Sequence, residues 1–362
     1  MTRTTSPTAE AAGPAPAGRA GYLVLGMHRS GTSAATQVLA LAGADLPQNV
    51  MPGDEYNAKG YFEPWRIAIF NDQRLRAAGG AWDDPFAFPY RPLEPREERR
   101  WVTRATDLFD EEYGAARYPL MKDPRVSVLL PLWLTALAEL SFAPRVVIPV
   151  RHPLEVAGSL AKRNGFPPEK SVLLWAAYML AAEAGSRGLP RAFVSYEGLL
   201  ADWRGQVERI ESGHGARLPK LDARAEKAID GFLTSELRHN APVGRLAETP
   251  VSGPLAARVF EWFEAAARGE APPTDVLDTV ALQFAELSKA MSAFVSPVTC
   301  ALDLARSDLL EARQRAEFEE GRAGALDAEV RALQAAREAE AEQARTLMAA
   351  AERELDEILG DN

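Results

Sequence analysis

A run near the start of the chain, residues 22–33 (YLVLGMHRSGTS), constrains the fold most strongly. Residues 22–25 are apolar and have the pattern of a short buried strand, and residues 26–31 form a loop that begins and ends with glycine. From Thr32 the sequence TSAATQVLALAG predicts a helix that ends near Gly43. In this arrangement backbone N–H groups and a helix N-terminus surround an anion, so the run predicts a phosphate-binding loop.

The loop nearly matches the P-loop pattern G-x-x-x-x-G-K-[ST], with Gly26 and Gly31 in place and Thr32 where the lysine is expected. That lysine contacts the β- and γ-phosphates of a nucleoside triphosphate, so its absence disfavours an ordinary ATPase or GTPase. The cation of this loop is Arg29 instead, which suits an anionic group lying along the loop. A glycine turn without ligand is the alternative interpretation.

A second strand of buried type is predicted at residues 145–150 (RVVIPV), and Arg151 follows its last residue. Pro153 suits the first turn of a helix, and Ser159 lies about two turns into it. Ligands of open parallel sheets bind beyond the carboxyl ends of the strands. If both strands belong to one sheet, Arg151 and Ser159 form a compact site for a second phosphate in the same crevice. A surface arginine near an unrelated serine is the alternative.

These two patterns, R-S-G-T-S after the first strand and an Arg/Ser pair after a later one, resemble the PAPS-dependent sulfotransferases. Two further segments resemble that family: YPLMKDPR, which ends a predicted strand at Lys122, and RAFVSYEGLLADW, which contains Ser195 and Tyr196. The resemblance covers residues 21–203. It implies that the loop holds the 5′-phosphosulfate of PAPS, that Arg151 and Ser159 hold the 3′-phosphate, and that PAP is the product. The cofactor-binding residues that it implies are Arg29, Ser30, Gly31, Thr32, Ser33, Arg151, Ser159 and Tyr196.

Two positions depart from many cytosolic members of that family. Ser33, Ala34 and Ala35 stand where those members have a tryptophan that stacks on adenine, and Pro124 stands where they have a catalytic histidine. The resemblance is therefore to the bacterial and carbohydrate-type branch, and the adenine must stack on a residue from another segment.

Sulfuryl transfer to a hydroxyl needs positive charge at the transferring group and a base for the hydroxyl proton. Arg29 and Lys122 are the predicted cations. The resemblance implies Glu63 as the base, because carbohydrate and tyrosine sulfotransferases tend to place a catalytic glutamate after the first helix, and His28 and Asp123 are the alternatives. An apolar wall around Glu63 is expected to raise the pKa of its carboxyl group. The aromatic residues of that predicted wall are Tyr61, Phe62 and Trp65. The scheme requires no metal ion, and the sequence has no His/Cys cluster with ligand spacing.

The alternation of strands and helices over residues 21–203 predicts a P-loop-like, three-layer α/β sandwich with a central parallel sheet. Residues 1–20 are rich in Ala, Pro, Thr and Gly and predict a disordered tail. Residues 204–300 predict a mainly helical part that completes a sulfotransferase domain over 21–300. Arg238 is a candidate for closing the cofactor pocket, and a solvated helix end is the alternative interpretation of this position.

The composition changes after Cys300. The chain of 362 residues has a net charge of −10, and residues 301–362 contain 16 acidic residues and eight arginines. Two apolar rows with a seven-residue spacing cross this segment: Leu326, Leu333 and Leu347, and Val330, Ala344, Ala351 and Ile358. Glu340 interrupts the first row and Arg337 the second. The pattern predicts a long helix or coiled coil that mediates self-association or binds a protein partner, with a solvated single helix as the alternative.

Other features limit the class of protein. No run of about 18 apolar residues predicts a membrane span, and the N-terminus lacks the apolar region of a signal peptide. The single cysteine, Cys300, is consistent with a reducing cytoplasm. No basic patch with interleaved aromatic residues predicts a nucleic-acid partner. These features favour a cytoplasmic location.

The sequence therefore predicts an enzyme, a sulfotransferase that moves a sulfuryl group from PAPS to a hydroxyl of a carbohydrate-like or other small acceptor by in-line displacement. Two other functions stay open. One is a P-loop kinase-like, ATP-dependent phosphotransferase, which would bind ATP with Mg²⁺. The other is a non-catalytic sulfotransferase-fold module on a coiled-coil scaffold, which would not bind PAP.

Overall fold

The computed structural model describes residues 19–53, 60–234 and 244–360. The chain divides into two compact units, Met1–Cys300 and Ala301–Asn362. The first unit is built on a central four-stranded parallel sheet, and a long helix ends the chain. The predicted fold class, α/β with a central parallel sheet and a long C-terminal helix, is confirmed.

The sheet has the strand order β2-β1-β3-β4, with every neighbouring pair parallel. The strands are β1 Arg19–Val24, β2 Leu120–Lys122, β3 Phe142–Val150 and β4 Arg191–Ser195. The chain leaves β1 toward β2 at one edge of the sheet, and it leaves β3 toward β4 at the other edge. Connections that diverge in this way open a crevice at the carboxyl ends of β1 and β3, where ligands of open parallel sheets bind.

Helices make up most of the remaining structure. They are α1 Thr32–Leu41, α2 Trp65–Ala77, α3 Pro95–Tyr113, α4 Leu130–Glu139, α5 Pro153–Asn164, α6 Pro168–Gly185, α7 Tyr196–Ala201, α8 Trp203–His214, α9 Ala223–Phe232, α10 Gly253–Ala267 and α11 Asp275–Gly360. Short 3-10 turns lie at Pro85–Ala87, Pro124–Ser127 and Leu246–Glu248.

The sheet is buried on both faces. Along β1, Tyr22 and Val24 belong to one apolar core and Leu23 belongs to the other, because alternate residues of a strand point to opposite faces. Helices α1, α8 and α9 contribute to the first core, and α3 to α6 and α10 contribute to the second. Burial on both faces explains why these strands read as continuous apolar runs in the sequence.

The start of β1 corrects the prediction for residues 1–20. Arg19 and Ala20 were expected in a disordered tail, but they pair with Phe142 and Ala143 of β3. The Arg19 guanidinium carbon also lies 4.6 Å from the centre of the Phe142 ring. Backbone pairing and this cation–π contact together hold Arg19 in the sheet. Residues 1–18 lie outside the described residues.

Helix α11 begins much earlier than the change of composition near residue 301. Within the first unit it buries Leu277, Val280 and Phe284, whose spacing of three and four places them on one helix face. Within the second unit, every side chain from Asp308 to Arg353 is exposed. Among the helices of the described ranges, none is both long enough and apolar enough to cross a bilayer.

Candidate active site

The loop between β1 and α1 has an unusual backbone. The φ angles of Gly26, Arg29 and Gly31 are +128°, +69° and +90°. Glycine adopts such values readily, whereas an arginine there stores strain of the kind that concentrates at binding sites. Gly31 is the N-cap of α1, and no side chain in the described part of the chain caps this helix end. The first N–H groups of α1 are therefore available to an anion.

Tyr196 lies against this loop. Ser195 ends β4, and its Oγ accepts a hydrogen bond of 3.2 Å from the N–H of Gly198, which starts α7 at Tyr196. A Cβ atom at Gly31 would overlap the Tyr196 ring. On another side of the ring, the guanidinium carbon of Arg151 lies 4.5 Å from the ring centre. Tyr196 therefore connects the loop to Arg151.

Arg151 follows the last residue of β3 and is buried. Its Nε donates to Glu155 Oε2 at 2.9 Å, and its Nη1 donates to the backbone oxygen of Arg29 at 3.0 Å. The Arg29 side chain in turn donates from Nε to Ser159 Oγ at 2.7 Å. Arg151 Nη2 is buried and has no hydrogen-bond partner among the described residues. This group, two guanidinium ions and a hydroxyl, is able to bind an anionic oxygen.

Lys122 forms the centre of a second group at the carboxyl end of β2. Its Nζ donates to Glu63 Oε1 at 2.5 Å, to the backbone oxygen of Tyr61 at 3.1 Å and to Ser33 Oγ at 3.4 Å. Both members of the ion pair are buried, with Lys122 2% and Glu63 4% exposed. The structure therefore joins the predicted cation and the predicted base in one contact.

Cations surround Glu63 where the sequence predicted an apolar wall. Arg125 Nη1 approaches the other carboxylate oxygen, Glu63 Oε2, to 3.9 Å. Of the predicted wall residues, Trp65 is 44% exposed, and Phe62 packs its ring against Phe232 with the centres 6.4 Å apart. Cations replace the wall because a buried carboxylate is stabilised by opposite charge rather than by apolar contact.

Arg125, which the sequence analysis did not assign to the site, holds a network of acids beside this pair. Its Nε donates to Asp72 Oδ1 at 2.5 Å and its Nη1 to Asp123 Oδ1 at 2.9 Å. Asp123 Oδ2 accepts from Asn71 Nδ2 at 2.8 Å. Burial opposes the charge of Arg125, but Asp123, Asp72 and Glu63 outweigh it and raise its pKa. Both oxygens of Asp123 therefore accept hydrogen bonds within this network.

His28 lies in the loop and is buried among aromatic rings. Its ring centre is 4.8 Å from that of Trp82 and 6.1 Å from that of Tyr178. Burial lowers the pKa of His28 well below its usual value, and the positive charges of Arg125 and Arg163 lower it further. The imidazole is therefore neutral near pH 7, and its Nε2 has no hydrogen-bond partner within the described ranges.

Arg163 is a second cation that the sequence analysis missed. It lies one helical turn after Ser159 on α5, and its guanidinium carbon is 5.5 Å from the centre of the Trp82 ring. Burial and the charge of Arg29 lower the pKa of Arg163. Its signal was in the sequence, because residues four apart on a helix lie on the same face.

The structure separates the predicted site residues into two groups. Ser33 and Glu63 lie with Lys122, whereas Arg29, Ser159 and Tyr196 lie with Arg151. Arg29, which the sequence analysis expects at the transferring group with Lys122, donates from its Nε to Ser159 Oγ.

Three further residues were predicted for the loop and the pocket, namely Ser30, Thr32 and Arg238. Ser30 Oγ is buried and has no hydrogen-bond partner among the described residues, and Thr32 is buried at the start of α1. Arg238, the candidate for closing the pocket, lies outside the described residues. In the ranges that the structure covers, no group of three or more His, Cys, Asp or Glu side chains is arranged to hold a metal ion.

Comparison with known proteins finds several solved structures to which the chain is similar, among them two sulfotransferase domains. No family model and no curated protein matches it. One structure is the sulfotransferase domain from the curacin biosynthetic pathway, with 13% identity, a TM-score of 0.35, and coverage of 72% of this chain and 96% of that chain. The other is the sulfotransferase domain from the Synechococcus PCC 7002 olefin synthase, with 15% identity, a TM-score of 0.36, and coverage of 76% and 97%.

Proposed function

We propose that the chain is a PAPS-dependent sulfotransferase that transfers a sulfuryl group to a hydroxyl of a carbohydrate-like or other small acceptor. One observation carries this function: two cationic groups, around Lys122 and around Arg151, lie at the carboxyl ends of β2 and β3, on either side of the β1 loop. Ser30 Oγ and Arg151 Nη2 are buried without a partner among the described residues, and phosphate oxygens would satisfy both.

Two separate anion sites suit PAPS better than ATP, because PAPS carries a 5′-phosphosulfate and a distant 3′-phosphate. In the proposed complex the N–H groups at the start of α1, together with Ser33 and Lys122, bind the 5′ group. Arg151 and Ser159, with Arg29, bind the 3′-phosphate. Both sets of residues fit the nucleotide through atoms that are already gathered in the structure.

Lys122 and Glu63 supply the proposed chemistry. PAPS provides the sulfuryl group, whose sulfur gains a bond to the acceptor oxygen as its bond to the 5′-phosphate oxygen breaks, leaving PAP. Lys122 exchanges its contact with Glu63 for the sulfuryl oxygens and stabilises their charge. Glu63, released from Lys122, takes the acceptor proton on Oε2 rather than on Oε1, the oxygen that Lys122 contacts. His28 is neutral, so its Nε2 can form a hydrogen bond with a bound molecule without adding positive charge to the site.

Aromatic residues beside the loop support a carbohydrate-like acceptor. The rings of Trp82 and Phe166 stack with their centres 5.8 Å apart, and His28 packs against the edge of Trp82. Trp82 remains partly exposed. A partly exposed tryptophan is a residue type on which a sugar ring can stack, and Arg163 lies close enough to bind a polar substituent.

Calorimetric titration with PAP tests the donor site. The unchanged protein is expected to bind PAP without Mg²⁺ and to bind ATP more weakly. Arg151→Ala is expected to weaken PAP binding by at least about tenfold, because a charge-assisted contact to phosphate is lost. Arg204→Ala, which removes an exposed arginine of α8, is the matched control and is expected to bind as the unchanged protein does.

Other titration results would point to the alternatives. Tight binding of ATP that depends on Mg²⁺ would favour the phosphotransferase. Failure of the unchanged protein to bind either nucleotide would leave the non-catalytic module as the better description.

Replacement of Glu63 tests the base. Glu63→Gln keeps the shape of the side chain but cannot accept a proton, so it is expected to bind PAP normally and to lose at least about a hundredfold in turnover. Turnover is measured by mass spectrometry of sulfated products over a panel of glycosides with PAPS as donor. Glu111→Gln, an exposed change on α3, is the control. Unaltered turnover of Glu63→Gln would move the base to another residue, with His28 next in line.

A further inference from the structure

The second unit exposes two apolar rows along α11. Val330, Ala344 and Ala351 form row A, and Leu326, Leu333 and Leu347 form row B. The four large residues among them are all more than half exposed, from Val330 at 51% to Leu347 at 71%. Large apolar side chains that are exposed along one helix are candidates for an interaction site, because their contact with water is unfavourable.

One charge interrupts each row, and the two charges are opposite. Arg337 takes the place in row A between Val330 and Ala344, and Glu340 takes the place in row B between Leu333 and Leu347. Both side chains are exposed. A partner that covers the rows must neutralise both charges, because an unpaired charge in an apolar interface is strongly destabilising.

We propose that a second copy of this chain covers the rows in the antiparallel direction, with Arg337 of each copy opposite Glu340 of the other. That register makes two interchain ion pairs from one complementary pair of residues. It also fixes which residues face each other elsewhere along the two helices. In an antiparallel pair, residues equally far from the midpoint between Arg337 and Glu340 face each other and form one layer of the interface. The layers are Val330 with Leu347, Leu333 with Ala344, and Leu326 with Ala351.

The same register matches the volumes of the facing residues. Leu333 and Leu326 each face an alanine of row A, and large residues that face small ones interdigitate well. The segment from Leu326 to Ala351 spans nearly four heptads, which is long enough to sustain a coiled coil.

A parallel dimer in register has the opposite properties. It places Arg337 against Arg337 and Glu340 against Glu340, so both charged layers repel. The residues that flank the two rows do not offset this repulsion, because most of them are uncharged. These flanking residues are Gln334, Ala336, Ala341, Gln343, Met348 and Ala350. The two interrupting charges are therefore the main feature that selects the direction of pairing.

Charge reversal in the full-length protein tests the pairing. The unchanged protein is expected to dimerise in sedimentation experiments, and Arg337→Glu or Glu340→Arg alone is expected to raise the dissociation constant by at least about tenfold. An equimolar mixture of the two variants is expected to dimerise within about threefold of the unchanged protein, because both facing pairs are attractive again. Arg331→Glu and Glu338→Arg are the matched controls, because they make the same charge changes at the positions directly after Val330 and Arg337.

Disulfide trapping tests the direction. In a Cys300→Ser background, Val330→Cys combined with Leu347→Cys is expected to give a covalent dimer under mild oxidation, whereas Val330→Cys alone is expected to stay monomeric on a denaturing gel. Covalent dimers of Val330→Cys alone would show a parallel pair and overturn the inference. A full-length protein that remains monomeric at all concentrations, or a mixture of charge variants that fails to recover, would also overturn it.

Discussion

At the scale of single residues, several residues that the sequence predicted for the site lie in contact around the β1 loop, but the sequence did not reveal how they meet. Arg151 and Ser159 could be placed in one crevice with the loop because ligands of open parallel sheets bind beyond the carboxyl ends of the strands. The contact between Lys122 and Glu63 joins residues 59 positions apart in the chain, and no local pattern encodes such a contact. The network of Arg125 was missed for the same reason, since its partner Asp72 comes from another helix.

Gly31→Ala is expected to damage both the stability and the nucleotide site. The residue has φ +90°, and a Cβ there overlaps the Tyr196 ring. The left-handed backbone costs about 1–2 kcal/mol, and displacement of the ring adds about 1–3 kcal/mol of strain. Urea unfolding measures the loss, and calorimetry is expected to show weaker PAP binding.

Gly165→Ala separates these two contributions to the loss at Gly31. Gly165 ends α5 with φ +68°, and nothing lies within 4 Å of a Cβ built there. Its replacement is expected to cost only the backbone strain, about 1–2 kcal/mol, and to leave PAP binding intact. Equal losses in the two variants would show that Tyr196 moves aside freely and that the close approach to the loop has no importance.

At the scale of elements, buried strands were predictable and helix boundaries less so. A strand of a doubly covered parallel sheet is apolar throughout, and residues 145–150 show that pattern without help from tertiary structure. What the sequence did not reveal is that α11 runs without a break from Asp275 into the C-terminal segment, because residues such as Leu277 and Phe284 suit any buried helix. The amino-acid composition changes only where the helix leaves the apolar core. The change of composition therefore marks that point and not the residue at which the helix begins.

His214 is expected to make the packing of α8 on the sheet sensitive to pH. Its Nε2 contacts the backbone oxygen of Val146 at 2.9 Å, and burial lowers the pKa of the ring below its usual value. As pH falls below about 6.5, the unfolded state takes up a proton that the folded state does not, so stability present above pH 6.5 is progressively lost. Each such proton contributes a slope of up to about 1.4 kcal/mol per pH unit.

The measurement is the free energy of unfolding in urea between pH 8 and pH 5.5 for the unchanged protein and for His214→Gln. The variant's deficit at pH 8 reports the lost contact, and a shallower decline toward pH 5.5 reports the lost titration. Parallel curves for the two proteins would show that His214 does not carry the pH dependence.

At the scale of the whole molecule, the two compact units differ in what stabilises them. Met1–Cys300 buries two apolar cores around a sheet. In Ala301–Asn362 the side chains from Asp308 to Arg353 are exposed, so tertiary packing does not hold this part of α11. Helices gain most of their stability from packing of an apolar face, and the antiparallel pair would provide that packing only when two copies associate.

This difference predicts two unfolding transitions with different dependence on protein concentration. All seven tryptophans lie in Met1–Cys300, so tryptophan fluorescence reports that unit alone, whereas far-UV circular dichroism reports helix in both. Dilution is expected to lower the midpoint of an early circular dichroism transition, because dissociation favours the separated chains, and to leave the fluorescence midpoint unchanged. Arg337→Glu is expected to lower the midpoint of the early transition at any concentration, and Arg331→Glu is expected to leave that midpoint unchanged.

A fluorescence midpoint that follows concentration would mean that association stabilises the α/β unit itself. An early transition that ignores dilution would mean that the second unit is a stable single helix and that the paired arrangement is wrong.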